Sequence, residues 1–215
     1  MRGIPRIATS RRLSRTPTAA TASTRSCCVG PRADILDHSL ERFPVRVLLE
    51  GRPGVGKTTV ARGLAALLER GRIPVAGFFT EEMREGGRRV GFRVEALGGE
   101  RGILAHVRIS GPPKVGRYGV DLEAFERVAI PALSGSGEGV TVIDELGRME
   151  LASQRFREAV SRLLDQPATV VATVHAHRDP FTDALKRRPG VEIVRVSAKN
   201  RDSLPERLAE RLGVS

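Results

Sequence analysis

Three features of the 215-residue sequence predict an α/β fold with a mostly parallel, doubly wound sheet, helices on both faces and a β-hairpin insertion. Short β-branched runs alternate with amphipathic helical stretches, the pattern of a sheet wound on both sides. The run Ala168–Val174 is apolar almost throughout, as a central strand covered on both faces requires. Gly-Gly pairs at 86–87 and 98–99 interrupt the alternation and carry hairpin turn chemistry.

The elements follow in order. Phe43–Glu50 reads as a buried strand running into a glycine loop. Lys57–Arg70 sets Val60, Leu64, Leu67 and Leu68 at helical spacing, with Gly71 as the residue that ends the helix. Pro74–Thr80 is a second strand, and Arg88–Leu97 with Gly102–Ile109 forms the hairpin. Asp121 caps a helix carrying Leu122, Phe125 and Ala129 that ends or kinks near Pro131. Gly139–Asp144 is an apolar strand finishing in acid, and Ser153 opens a helix with Phe156, Val160, Leu163 and Leu164 on one face. Asp179-Pro180 starts a short helix. Val191–Val196 is the last strand, and Ser203 with Glu206 makes a capping box for a final helix.

Composition narrows the function. The formal net charge is +11, but residues 1–33 hold seven Arg and no acid, leaving 29 basic against 25 acidic residues in 34–215. A net +4 domain is not built mainly to neutralise a nucleic-acid backbone. Both cysteines, Cys27 and Cys28, lie in the extension, so residues 34–215 carry neither a disulfide framework nor a Cys-based zinc site. No apolar run is long enough to span a bilayer. The sequence therefore divides into a basic, non-domain extension at 1–33 and one domain at 34–215. Three readings of the extension stay open: an organelle transit peptide, a basic arm, or an upstream stretch with no role, in keeping with the Arg-rich bias of the whole chain. The reading adopted is a cytoplasmic, monomeric protein that needs neither membrane nor nucleic acid.

Gly51, Arg52, Pro53, Gly54, Val55, Gly56, Lys57 and Thr58 match the phosphate-loop pattern G-x-x-x-x-G-K-[ST], the Walker A motif, and sit between a strand and a helix as that pattern requires. Glycines let the backbone close around an anion, and the helix start presents N–H groups to it. Lys57 reaches the β and γ oxygens, the Thr58 hydroxyl ligates Mg²⁺, and Thr59 lies close to the α-phosphate. Asp144, at the end of the strand in 140–145, is the Walker B carboxylate for the metal, and Glu145 is the base for an attacking water. Arg84 and Arg148, just beyond strand ends, are the best placed of several arginines to face transition-state charge. No Asn-Lys-x-Asp segment reads guanine, and Arg201 offers a flat guanidinium on which any base can stack. His175 and His177 are polar positions at the crevice, too few for a zinc site.

Several segments then carry a resemblance. Gly77-Phe-Phe-Thr-Glu-Glu-Met-Arg84, Tyr118-Gly-Val-Asp121, Ile143-Asp-Glu-Leu-Gly-Arg-Met-Glu150, Ala172-Thr-Val-His175 and Asn200-Arg-Asp202 resemble the THEP-type nucleoside-triphosphatase family, small P-loop NTPases, over residues 45–212. Arg148 departs from the family pattern, where Lys is commoner; the charge is kept and its geometry is not. The resemblance implies slow, Mg²⁺-dependent hydrolysis of ATP, GTP, CTP and UTP to diphosphate and phosphate, with little base preference. Two other functions use the same loop: a small-molecule or nucleoside kinase, and a nucleotide-dependent switch associated with RNA.

Overall fold

The computed structural model describes residues 44–134, 137 and 139–214; the extension at 1–33, with Cys27 and Cys28, lies outside them. The strands are β1 (Arg46–Gly51), β2 (Val75–Glu85), β3 (Arg88–Ala96), β4 (Arg101–His106), β5 (Lys114–Val115), β6 (Tyr118–Val120), β7 (Val140–Leu146), β8 (Thr169–His175) and β9 (Val191–Arg195). The α-helices are α1 (Lys57–Arg70), α2 (Leu122–Ala132), α3 (Gln154–Asp165), α4 (Pro180–Lys186) and α5 (Leu204–Arg211), with a 3-10 turn at Glu150–Ala152.

All these strands form one sheet in the order β5-β6-β4-β3-β2-β7-β8-β1-β9. From β2 to β9 every pairing is parallel. From β2 outward to β5 every pairing is antiparallel. The predicted hairpin is present as β3 and β4, paired antiparallel within this sheet. β2 runs on past Thr80 to Glu85 and pairs antiparallel with β3 along this polar stretch, through a turn where Gly86 and Gly87 both have positive φ (55° and 76°).

Alternation along the strands feeds two cores. Leu48 and Phe78 face one layer with α2 and α3, where Phe78, Phe125 and Phe156 meet edge to face at centroid distances of 4.9–5.8 Å. Val47, Leu49 and Phe79 face the other, with α1 and α5. Gly77 lets β2 lie flat against β7: at φ 116° its missing Cβ would stand 1.8 Å from the Val142 carbonyl oxygen.

Caps bear out the local reading with two exceptions. Asp121, Ser153 and Asp179 each accept a backbone N–H at a helix start. Ser203 does not: its backbone is helical, and its hydroxyl donates to the Asn200 carbonyl instead. Gly71 ends α1 at φ −76°, leaving the left-handed turn to Arg72 (φ 58°); a Cβ at Gly71 would press on Val214 at 3.0 Å.

Candidate active site

The C-terminal ends of β1, β7 and β8 open onto one crevice, the place where ligands bind in sheets of this kind. The loop after β1 curls because Gly54 and Gly56 adopt φ values of 75° and 110°. Gly51 serves differently: a Cβ there would meet the Val55 side chain at 2.7 Å, so its smallness lets the loop fold back on itself. Gly56 starts α1 with no side-chain cap, leaving the first-turn N–H groups facing the loop, as anion binding needs.

Lys57 is 5% exposed, a costly place for an ammonium without partners. It has two: its Nζ donates to the Gly51 carbonyl at 3.3 Å and stands 3.5 Å from Glu145 Oε2. The other Glu145 oxygen meets His175 Nε2 from β8. Burial would raise the Glu145 pKa, but the His175 hydrogen bond and the charges of His175 and Lys57 bring it below the ordinary carboxylate value. Glu145 is thus held as an anion at the crevice.

Asp144 is 1% exposed and accepts a hydrogen bond from the Thr173 hydroxyl at 2.6 Å. The Thr58 side chain bonds it too, and burial raises its pKa against those two hydroxyls. Among the described residues no group of three or more His, Cys, Asp or Glu is arranged to hold a metal. One hydroxyl and one carboxylate in contact are instead the hard-oxygen set that suits Mg²⁺, an ion that fills its shell with water and substrate phosphate. The residues fit the group.

Glu150 adds a third carboxyl. It is 4% exposed, and its Oε1 accepts from the Thr80 hydroxyl at 3.2 Å. Burial, helped by the Glu145 charge, pushes its pKa up to about 8, so it keeps its proton at neutral pH. Gly147 separates the two acids: a Cβ there would lie 2.8 Å from Glu150 Oε2 and 2.9 Å from Glu145 Oε1.

These groups line a cavity of about 640 Å³ that also takes in Pro53, Gly54, Gly56, Thr58, Thr59 and Arg148. His177 stacks on His175 at 4.6 Å in the same wall. Gly51, Arg52 and Val55 form the loop without lining the cavity. Arg201 does not line it either; its stem lies over Gly56, where a Cβ would meet Cδ at 2.9 Å, on the outer flank of the loop. Arg84 is not brought in. Because β2 continues beyond Thr80, Arg84 falls beside a register shift in β2 and is tied to Glu82 at 2.6 Å and to the Gly87 carbonyl. Thr173, Glu150 and the Glu145 contact of His175 received no role from the sequence. The signal for them was polar residues closing apolar strands, which spacing alone does not connect to a partner.

A family model described as NTPase matches residues 46–209. The chain belongs to the NTPase family. Membership makes it an enzyme, a nucleoside-triphosphatase. It is 42% identical over 162 residues to "Nucleoside-triphosphatase THEP1" of Thermotoga petrophila, covering 74% of this chain and 88% of that relative. It is also 42% identical over 173 residues to the human "Cancer-related nucleoside-triphosphatase", covering 74% and 91%. The crystal structure of THEP1 from Aquifex aeolicus superposes with a TM-score of 0.70 at 32% identity, over 79% of this chain and 99% of that one. The solution structure of the human protein gives 0.69 at 39% identity, over 80% and 98%. Both likenesses agree with a P-loop α/β fold for this NTPase-family chain.

Proposed function

We propose that this chain hydrolyses nucleoside triphosphates to the diphosphate and phosphate, with Mg²⁺, with tolerance of the base and with slow turnover. The observation that carries the reading is Glu145, gripped between Lys57 and His175 directly beside the Asp144–Thr58 contact.

The phosphate loop and the start of α1 hold the β- and γ-phosphates. Lys57 turns from Glu145 to the phosphate oxygens, a move its paired position makes short. Glu145 then faces a water at the γ-phosphate, takes its proton, and passes it on as diphosphate leaves. His175 keeps the carboxylate aimed. Thr58 and Asp144 would hold Mg²⁺, which supplies charge neutralisation to the β- and γ-oxygens when bound.

Base tolerance is supported by the sequence, which has no Asn-Lys-x-Asp segment, and by Arg201, whose flat guanidinium can stack on any base. Slow turnover is supported by the arginines: Arg84 is tied to Glu82 outside the cavity, and of the two arginines that line the cavity, Arg89 is paired with Glu82 and only Arg148 is without an ion pair among the described residues. A transition-state arginine is worth about 10³–10⁵ in rate where it is well placed. ATP, GTP, CTP and UTP are the substrates, the enzyme acts as a cytoplasmic monomer without nucleic acid, and residues 1–33 take no part in the chemistry.

Phosphate release from each of the four triphosphates tests this. All four are expected to be turned over at similar rates, and Lys57→Ala is expected to lose about a hundredfold or more. A variant as active as the parent would overturn the reading.

A further inference from the structure

The cavity continues well past the phosphate loop. An attacking water takes up about 30 Å³ of liquid volume, yet at about 640 Å³ the space is the size of a small-molecule site. Besides the phosphate loop and Glu145, it is lined by Phe92, Val115, Met149, Thr80, Glu150 and Arg89. These residues come from the antiparallel half of the sheet and from the turn after β7, not from the phosphate loop.

This end is built, not merely open. Phe92 packs edge to face on Tyr118 at 5.3 Å, and the Arg89 guanidinium sits 5.2 Å from its ring centre. Arg89 is itself fixed, donating to the Tyr118 hydroxyl at 3.1 Å and to Glu82 at 2.6 Å. The Arg89 hydrogen bond, with Arg84 on the other carboxylate oxygen, holds Glu82 below the usual carboxylate range, so Glu82 and Arg89 are already paired. An aromatic wall locked in place beside charges that already have partners suits a flat body that brings no charge of its own. Glu150 and Thr80 offer hydroxyl-type hydrogen bonds, and Gly147 leaves the path from Glu150 to Glu145 unblocked. Arg148 lines the same cavity, close enough for its charge to act on His177.

We infer that this end of the cavity is an acceptor subsite, in which a small uncharged compound bearing a flat ring and a hydroxyl group takes the γ-phosphoryl group in place of water. The inference rests on the proposed hydrolysis, because it uses the same base. The acceptor oxygen forms a bond to the γ-phosphorus, and the bond from that phosphorus to the β–γ bridging oxygen breaks. The diphosphate leaves with the electron pair, and the hydroxyl proton passes to Glu145. The product is a phosphate monoester, and hydrolysis is the same displacement with water as the acceptor.

The test gives the full chain, with Mg²⁺, ATP labelled at its γ-phosphate and millimolar benzyl alcohol, pyridoxine or thymidine in turn. Label is expected on the hydroxyl of at least one of the three. Phe92→Ala, which removes the wall, and Val115→Trp, which fills the space, are each expected to cut that transfer by about tenfold or more. Both leave phosphate release to water within about twofold, since neither side chain belongs to the hydrolytic machinery. Label in inorganic phosphate alone, with all three compounds, overturns the acceptor subsite and leaves the hydrolase reading standing. Transfer undiminished in both variants also overturns it. No label released to phosphate or alcohol sinks the hydrolase reading, and the inference with it.

Discussion

Glu150 is the residue whose energetics are most exposed to experiment. In the folded chain its carboxyl keeps its proton up to about 8, against 4.5 ordinarily. Between those values the unfolded chain binds fewer protons than the folded one, so this group contributes a stability that falls as pH rises. Glu150→Gln keeps the shape and removes the titration. Denaturant unfolding of parent and variant should show the variant gaining by about 1.4 kcal/mol per pH unit from pH ~5 to ~8. A constant difference across that range would mean Glu150 is ionised or solvated in the fold. Lys57 and Asp144 belong to the same scale. Each is buried with partners that are themselves part of the site, so loss of one leaves the others uncompensated.

At the scale of elements, the close approach of β2 and β7 sets the width of the crevice. Gly77 makes that approach, with no room for a Cβ within 1.8 Å of the Val142 carbonyl and a backbone that L side chains adopt at a cost. Gly77→Ala is expected to lose about 3 kcal/mol or more in equilibrium unfolding. A loss under about 1 kcal/mol would show that the strands part easily and that the crevice is not rigid. The same strand explains what the sequence left illegible. The phosphate loop, Asp144 and Glu145 are local patterns, each bound to a strand end that its own residues specify, and they stand where spacing put them. The second half of β2 is Thr-Glu-Glu-Met-Arg-Glu, polar on both faces, and becomes strand only because β3 pairs with it. Tertiary pairing overrode the local pattern, and this carried Arg84 away from the crevice edge where a strand ending at Thr80 would have left it. β5 and β6, of two and three residues, are likewise products of pairing with their neighbours. Glu150 was in plain view six residues after Asp144, but its burial depends on Thr80 from another strand.

For the whole molecule, the sheet interposes β8 between the phosphate-loop strand β1 and the carboxylate strand β7. This is what brings Thr173 to Asp144 and His175 to Glu145. The residues of the candidate site all fall within the span the NTPase family model matches, 46–209. A chain shortened to 34–215 is therefore expected to release phosphate within about twofold of the full chain. A larger fall would give the extension a part in folding or substrate capture. The site itself is tested most directly at Glu145. Phosphate release and nucleotide binding should be measured side by side for parent and Glu145→Gln, with Mg²⁺ and ATP. A base at this position predicts that turnover falls by about 10²–10⁴ while nucleotide affinity is kept. Turnover equal to the parent's would show that Glu145 only pairs with Lys57 and His175, and that the proton leaves the attacking water by another route.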